Sequence, residues 1–279
     1  MPIYDCDGNV ISTGSTTVLT TPNIVRFKKV NSINHRGWYE APENTLPAYK
    51  ESKTHGFSMA ETDVSFTSDG VAVLLHDQTI NRTARNADGS SIEQTINIHD
   101  ITYSQALEYD FGIYKSQTYA GTKIPTLTEF LTLCRNLQIH PYIELKSNGD
   151  YSTVEISSVA QIVKDTGMRG NVTYISFSES YLQTIANLDS KARIGWLVNT
   201  ISDATISAVQ AFMNGATNNW FLNCSKYDAT TVGKCRNADI PLEIWTIDSA
   251  DIIASLDVFI SGVTSNRTVA SDVLYNANI

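Results

Sequence analysis

From about residue 30 onward, short apolar runs alternate with stretches in which apolar residues recur three and four apart. Such alternation between strand-like and helix-like periods predicts a parallel sheet joined by crossover helices. Eight runs qualify as strands, ending near Asn34–His35, Glu61–Asp63, Glu144–Lys146, Ser176–Phe177, Leu197–Val198, Leu222–Asn223, Thr246–Asp248 and Ser261–Val263. Eight strands within 279 residues fit a single α/β domain, a (β/α)8 barrel, which commonly occupies about 250 residues.

Two helices carry boundary signals. Thr45 is placed to cap the first, Pro47 falls in its first turn and Gly56 follows its end. Thr126 and Glu129 read as a capping box ahead of Phe130, Leu133, Cys134 and Leu137, a helical stripe that predicts a core face with a buried free thiol at Cys134. One apolar run does not fit the barrel count. Val71–Leu75 follows the strand ending at Asp63 after only a Thr67–Ser68–Asp69–Gly70 turn. A parallel crossover needs about a dozen residues or more, so this run is predicted to fold back antiparallel as a β-hairpin outside the barrel. With the turn centred near Asp69, residues 62 and 76 lie opposite each other, and His76 returns to the height of Glu61 and Asp63. Residues 77–123 follow as a long polar insertion of the kind that walls a barrel mouth. Residues 1–29, with a turn signal at Asp7–Gly8–Asn9, read as an N-terminal extension, and 30–279 as the barrel domain.

Charge narrows the partners. The 20 Lys and Arg against 29 Asp and Glu give a net charge of −9, and the longest basic cluster is Arg26, Lys28 and Lys29. This opposes general nucleic-acid binding, which needs a basic face to displace counterions. No run of about 18 apolar residues exists, so no transmembrane segment is expected. The N-terminal residues contain no signal-peptide core, and the compartment stays open. Cys6, Cys134, Cys224 and Cys235 form no CxxC motif, although Cys224 and Cys235 could pair. Nothing in the sequence fixes an oligomeric state.

Ionisable residues collect at the C-terminal ends of the predicted strands, the face that carries the active site in this architecture. The first strand ends in His35–Arg36–Gly37. The second carries Glu61 and Asp63, which point to one face because strand side chains alternate. The hairpin arm ends in His76–Asp77, and the next barrel strand carries Glu144 and Lys146 two apart. Glu61, Asp63 and Glu144 form an all-oxygen set suited to one hard divalent cation, Mg²⁺ or Ca²⁺, better than to zinc. Without a cation the three would repel and one would take up a proton. The same spacing also permits Glu61–Arg36 and Glu144–Lys146 ion pairs. Two histidines at one mouth can divide the acid and base roles of a hydrolysis. His55 at a helix end, His99 in the insertion and His140 at a strand start are read as structural.

In order along the chain, His35–Arg36–Gly37, Ala41–Pro42–Glu43–Asn44–Thr45, Glu61–Thr62–Asp63–Val64, Thr67–Ser68–Asp69–Gly70, His76–Asp77, Arg82–Thr83, Ile124–Pro125–Thr126–Leu127, Glu144–Leu145–Lys146, Ser176–Phe177 and Trp245–Thr246 resemble the glycerophosphodiester phosphodiesterase family over about residues 30–263. The resemblance implies a TIM barrel enzyme that hydrolyses glycerophosphodiesters to glycerol 3-phosphate and an alcohol. It implies that His35 and His76 are the general acid–base pair, and that Glu61, Asp63 and Glu144 hold the cation. It further implies that Arg36 and Lys146 bind phosphate oxygens, that Trp245 walls the substrate pocket, and that Glu43 supports the His35 loop. A core role is the alternative for Trp245. The chain departs from the family at the last strand, which usually ends in an acidic Thr-Asp type sequence and here reads Thr264–Ser265–Asn266. Two rival readings are a related barrel phospholipase (a phosphoinositide lyase or a sphingomyelinase-D-like enzyme) and a binding module that has lost catalysis. The polar insertion opposes the first, and the complete His and carboxylate set opposes the second.

Overall fold

The computed structural model describes residues 30–214 and 217–267, together with two short antiparallel strands, β1 (Ile3–Tyr4) and β2 (Val10–Ser12). The rest of the expected 1–29 extension, and the end of the 30–279 domain, lie outside the described residues. Eight parallel strands close a barrel in chain order: β3 (Asn31–Asn34), β4 (Met59–Phe66), β6 (His140–Leu145), β7 (Thr173–Ser176), β8 (Arg193–Val198), β9 (Asn219–Cys224), β10 (Leu242–Ile244) and β11 (Ile260–Ser265), which pairs back onto β3. The ninth strand of this sheet, β5 (Ala72–Leu74), lies outside the ring and runs antiparallel to β4. Its register pairs Val64 with Leu74 and Phe66 with Ala72, which extrapolates to Thr62 opposite His76, as the turn position predicts. The Leu75 N–H donates to the Asp63 carbonyl and the Ser65 hydroxyl to the Leu75 carbonyl, so the arm is tied down just before His76.

The helices are α1 (Leu46–Thr54), α2 (Tyr103–Ala106), α3 (Leu127–Leu137), α4 (Thr153–Asp165), α5 (Glu179–Leu188), α6 (Asp203–Met213), α7 (Ala229–Asn237) and α8 (Ala250–Ala254). The α3 capping box forms as read, with the Thr126 hydroxyl accepting from the Glu129 N–H and the Glu129 carboxylate accepting from the Thr126 N–H. Thr45 occupies the N-cap position of α1 but does not cap it. Its hydroxyl donates to the Pro42 carbonyl at 2.6 Å and closes the preceding turn instead.

Strand alternation divides the core in two. Outward residues such as Ile143, Leu145, Tyr174, Ile194 and Leu222 pack under the helices, while Ile33, Tyr142, Ile175, Leu197 and Phe221 fill the barrel. Glycine makes room inside: a Cβ on Gly195 would meet the Phe221 ring at 2.3 Å, and one on Gly262 would meet the Glu243 carboxylate at 2.7 Å. Three strand ends shift from the sequence reading. β4 runs on to Phe66, because Val64, Ser65 and Phe66 pair with β5. β10 stops at Ile244 rather than at 246–248, because Trp245 and Ile247 donate singly to Cys224 and Thr264 outside a regular ladder. β11 continues to Ser265 because Thr264 and Ser265 pair with Ile33 and Asn34 of β3.

The insertion is not a loose lid. Ile80, Ala84, Ile98, Ala106 and Phe111 pack with Val73, Leu75 and Ile124 into a small core of its own beside the hairpin. Cys134, Cys224 and Cys235 are buried free thiols, so the Cys224–Cys235 pairing is not made. No helix among the described residues is long and apolar enough to cross a membrane.

Candidate active site

The His35–Arg36–Gly37 turn is built by two consecutive left-handed residues, Arg36 at φ 55° and Gly37 at φ 86°. A Cβ on Gly37 would lie 2.5 Å from the Ala48 Cβ, so the chain approaches α1 as only glycine allows. This turn carries the Arg36 N–H to Glu61 Oε2 at 3.0 Å and its guanidinium to Asp63 Oδ2 at 3.2 Å and Glu43 Oε1 at 3.1 Å. On β4 and β6, Asp63 and Glu144 sit in register on neighbouring strands, with Glu61 one inward position below Asp63. Oxygens of Glu61, Asp63 and Glu144 lie within 4.8 Å of one another. The Lys146 ammonium lies 2.8 Å from Glu144 Oε1 and 3.4 Å from Asp63 Oδ1. Of the ion pairs weighed from spacing, Lys146–Glu144 is made, whereas Arg36 meets Glu61 through its backbone and spends its guanidinium on Asp63 and Glu43.

Three carboxylates therefore face two cations, and the imbalance is visible in their protonation. Burial, with the charges of Asp63 and Glu144, pushes Glu61 well above the usual carboxylate range. Burial and Asp63 raise Glu144 to about 7. Burial also opposes ionisation of Asp63, but Arg36, Lys146 and His76 outweigh it and hold Asp63 below its ordinary value. Glu61 Oε1 and Asp63 Oδ1 are buried and accept no hydrogen bond. Hard oxygen donors, converging and incompletely paired, fit a divalent cation.

The histidines line the same cleft, a cavity of about 200 Å³ bounded also by Arg36, Glu61, Glu144, Lys146, Phe177 and Trp245. His35 is held below its ordinary value, by burial first and the Arg36 charge second. Its Nδ1 contacts Asn266 Oδ1 at 2.8 Å. His76 Nδ1 contacts Asp77 Oδ1 at 2.6 Å, and Asp77 Oδ2 accepts from Arg82 Nε at 2.6 Å. Glu43 bridges Arg36 and both terminal nitrogens of Arg82, thereby linking the two histidine loops; burial works against its charge, but the arginines hold its carboxyl below the usual range. Trp245 is half-buried, donates from Nε1 to the Asn223 carbonyl and meets Phe177 edge-on, so it lines the cleft while packing against the barrel core. His55 stacks on Trp38, His99 pairs with Glu155 and His140 bonds Thr173, none of them lining the cleft.

Residues that the sequence reading did not single out complete the arrangement. Asn44, at φ 56°, donates to Asp63 Oδ2 at 2.8 Å while its Oδ1 accepts from Thr62, Tyr49 and the Asp63 N–H. The only signal for it was its place between Glu43 and Thr45 in the motif. Arg82 stands in the Arg82–Thr83 motif and Asn266 at the departure of the last strand, each without a role read from sequence, and Asp248 is read only as a strand end.

A model of the "Glycerophosphoryl diester phosphodiesterase family" matches residues 35–270. The chain belongs to this family. Over 136 residues it is 35% identical to glycerophosphodiester phosphodiesterase 1 of Rattus norvegicus, a stretch covering 47% of this chain and 38% of the rat protein. Over 167 residues it is 31% identical to a glycerophosphodiester phosphodiesterase of Caldanaerobacter subterraneus, covering 59% of this chain and 65% of that protein. The chain thus matches well under half the length of the mammalian relative. The barrel superposes on an Oleispira antarctica phosphodiesterase solved with its product sn-glycerol 3-phosphate, at a TM-score of 0.76 and 21% identity, over 89% of this chain and 97% of that one. An Agrobacterium tumefaciens glycerophosphodiester phosphodiesterase gives a TM-score of 0.68 at 22% identity, over 90% and 100% of the two chains. These identities speak for the fold alone, a closed barrel of eight parallel strands with helices between them.

Proposed function

We propose that this protein hydrolyses glycerophosphodiesters to glycerol 3-phosphate and an alcohol, with His35 and His76 as the acid–base pair and a divalent cation, Mg²⁺ or Ca²⁺, held by Glu61, Asp63 and Glu144. The observation that carries the reading is the meeting of two histidines, two cationic side chains, Glu61 and Glu144 in one cleft, with an oxygen of the buried Asp63 within 4.8 Å of theirs. Family membership and the product bound in the Oleispira antarctica enzyme support the substrate class.

A phosphodiester brings one negative charge and a poor leaving group. The bound cation would supply positive charge to the phosphoryl oxygens. Arg36 and Lys146, which line the cleft, would bind the same oxygens and stabilise charge as it develops. One histidine takes the proton of the attacking oxygen, from water or from the glycerol hydroxyl, while the other protonates the departing alcohol. Trp245 and Phe177 offer an aromatic wall to the organic part of the substrate. Glu43 and Arg82 fix the distance between the two histidine loops. Release of glycerol 3-phosphate from glycerophosphocholine, compared with turnover of an intact phospholipid, tests this reading. Turnover confined to the phospholipid would replace it with the phospholipase alternative.

A further inference from the structure

The end of the last strand departs from the family pattern, and the structure gives that departure a purpose. Where the family usually has an acid, this chain has Asn266, and Asn266 is the partner of His35. The nearest carboxylate to that amide comes from the preceding strand's loop. Asp248 Oδ2 accepts from Asn266 Nδ2 at 2.7 Å, and Asp248 Oδ1 accepts from the Asn266 N–H at 2.7 Å and from the Ser265 hydroxyl at 2.9 Å. A carboxylate in these contacts only accepts, so it captures the NH₂ end of the Asn266 amide and turns Oδ1 toward His35. An amide oxygen also only accepts. The proton in the 2.8 Å contact must therefore sit on His35 Nδ1.

We propose that Asp248, acting through the Asn266 carboxamide, holds His35 as its Nδ1-protonated tautomer and leaves the Nε2 lone pair as the proton acceptor of the reaction. Asp248 and Asn266 are positioning residues, and the assignment rests on the phosphodiesterase reading above. The frame that holds them is rigid. The His35 N–H donates to the Ser265 carbonyl at 2.9 Å, and Asn34 Nδ2 donates to the Ser265 and Asn266 carbonyls at 3.1 and 3.0 Å, so β3 and β11 are stapled at the height of the ring. His76 has a different partner, the Asp77 carboxylate. In the step this implies, the attacking O–H gives its proton to His35 Nε2 as its oxygen bonds phosphorus. The ester oxygen leaves with the electron pair of the broken P–O bond and takes a proton from His76.

The exchange Asp248→Asn with Asn266→Asp discriminates this role from simple stapling. In Asp248→Asn alone, two NH₂ groups would face each other, so the Asn266 amide turns over and offers His35 a donor. The ring then carries its proton on Nε2. Restoring the carboxylate at position 266 restores an acceptor for Nδ1–H. In the full-length, Mg²⁺-loaded protein, ¹⁵N NMR of the His35 ring is expected to show a pyrrole-type Nδ1 and a pyridine-type Nε2 in the wild type and in the exchanged double variant, and the reverse in Asp248→Asn. Turnover of glycerophosphocholine is expected to lose about 10²-fold in kcat in Asp248→Asn, with KM within about threefold, and to return to within a few-fold in the double variant. A wild-type ring protonated on Nε2 overturns the proposal, as does an Asp248→Asn protein that keeps the Nδ1–H tautomer and wild-type kcat. If Asp248→Asn fails to fold, the wild-type spectrum decides alone. Absence of any turnover by the wild type would count against the phosphodiesterase reading, while the tautomer would still answer for Asp248.

Discussion

Inside the barrel, one layer toward the N-terminal ends of the strands, Glu243 is wholly buried and meets a single guanidinium. Arg193 lies 2.7 Å from its Oε1, Tyr142 donates to the same oxygen at 3.2 Å, and the guanidinium sits over the Phe221 ring at 4.0 Å. At the mouth, Glu61 and Asp63 are as far from solvent and Glu144 nearly so, but three acids share Arg36 and Lys146. One layer is balanced charge for charge, and the other is short of one positive charge. Burial is therefore no guide to which carboxylates are functional. A matched pair holds strands together, whereas a converging, under-compensated set is costly to the fold, a cost that the proposed cation and anionic substrate would offset.

Breaking the mouth should cost activity and spare the fold. Glu61→Gln and Glu144→Gln are expected to lower kcat/KM by at least about 10³-fold while the metal-free proteins melt no lower than wild type, since burial and the neighbouring acids already oppose the charge that each change removes. Steady-state kinetics beside thermal melts would check both halves. The histidines come next. His35→Ala and His76→Ala should each lower kcat by about 10²–10⁴-fold, and together by less than the product, whereas His55→Ala, His99→Ala and His140→Ala stay within a few-fold.

Breaking the lower layer should do the opposite. Arg193→Met leaves Glu243 buried without its partner and should cost about 3–5 kcal/mol in denaturant unfolding, with kcat of the folded protein unchanged. Gly195→Ala drives a methyl into Phe221 and should cost about 1–3 kcal/mol on the same assay. The last effect is a pH dependence. His140, pressed by burial first and Arg193 second, is held down to about 4, while an unfolded histidine titrates near 6.5. Between about pH 6.5 and pH 4 the unfolded chain takes up a proton that the folded chain refuses, so stability falls as pH drops through that window. The fall should be shallower in His140→Gln.

The two layers also differ in how far the sequence reveals them. Period-two spacing placed Glu61 with Asp63 and Glu144 with Lys146 on inward faces, and the short turn after Asp63 forced β5 antiparallel and returned His76 to their height. These are local constraints, legible over a few residues. The roles of Asn44, Arg82, Asp248 and Asn266 were not legible, because the contacts that define them join one element to another, as Asn44 with Asp63 and Arg82 with Glu43. Asn266 reaches His35 across 231 positions only because β11 pairs with β3. Thr45 misled for a related reason: its hydroxyl had a nearer acceptor in Pro42, a competition that a cap pattern does not encode. The Glu243–Arg193 pair escaped notice because no spacing links a residue of β8 with one of β10.

The central claim is that the under-compensated mouth is the cation-dependent centre of a glycerophosphodiester hydrolase. The most direct test is release of glycerol 3-phosphate from glycerophosphocholine by the full chain, after chelator treatment and again after adding Mg²⁺ or Ca²⁺. The account predicts loss of release in chelator, recovery with a divalent cation, and no recovery in Asp63→Asn. Full release in excess chelator by protein free of detectable metal would contradict it.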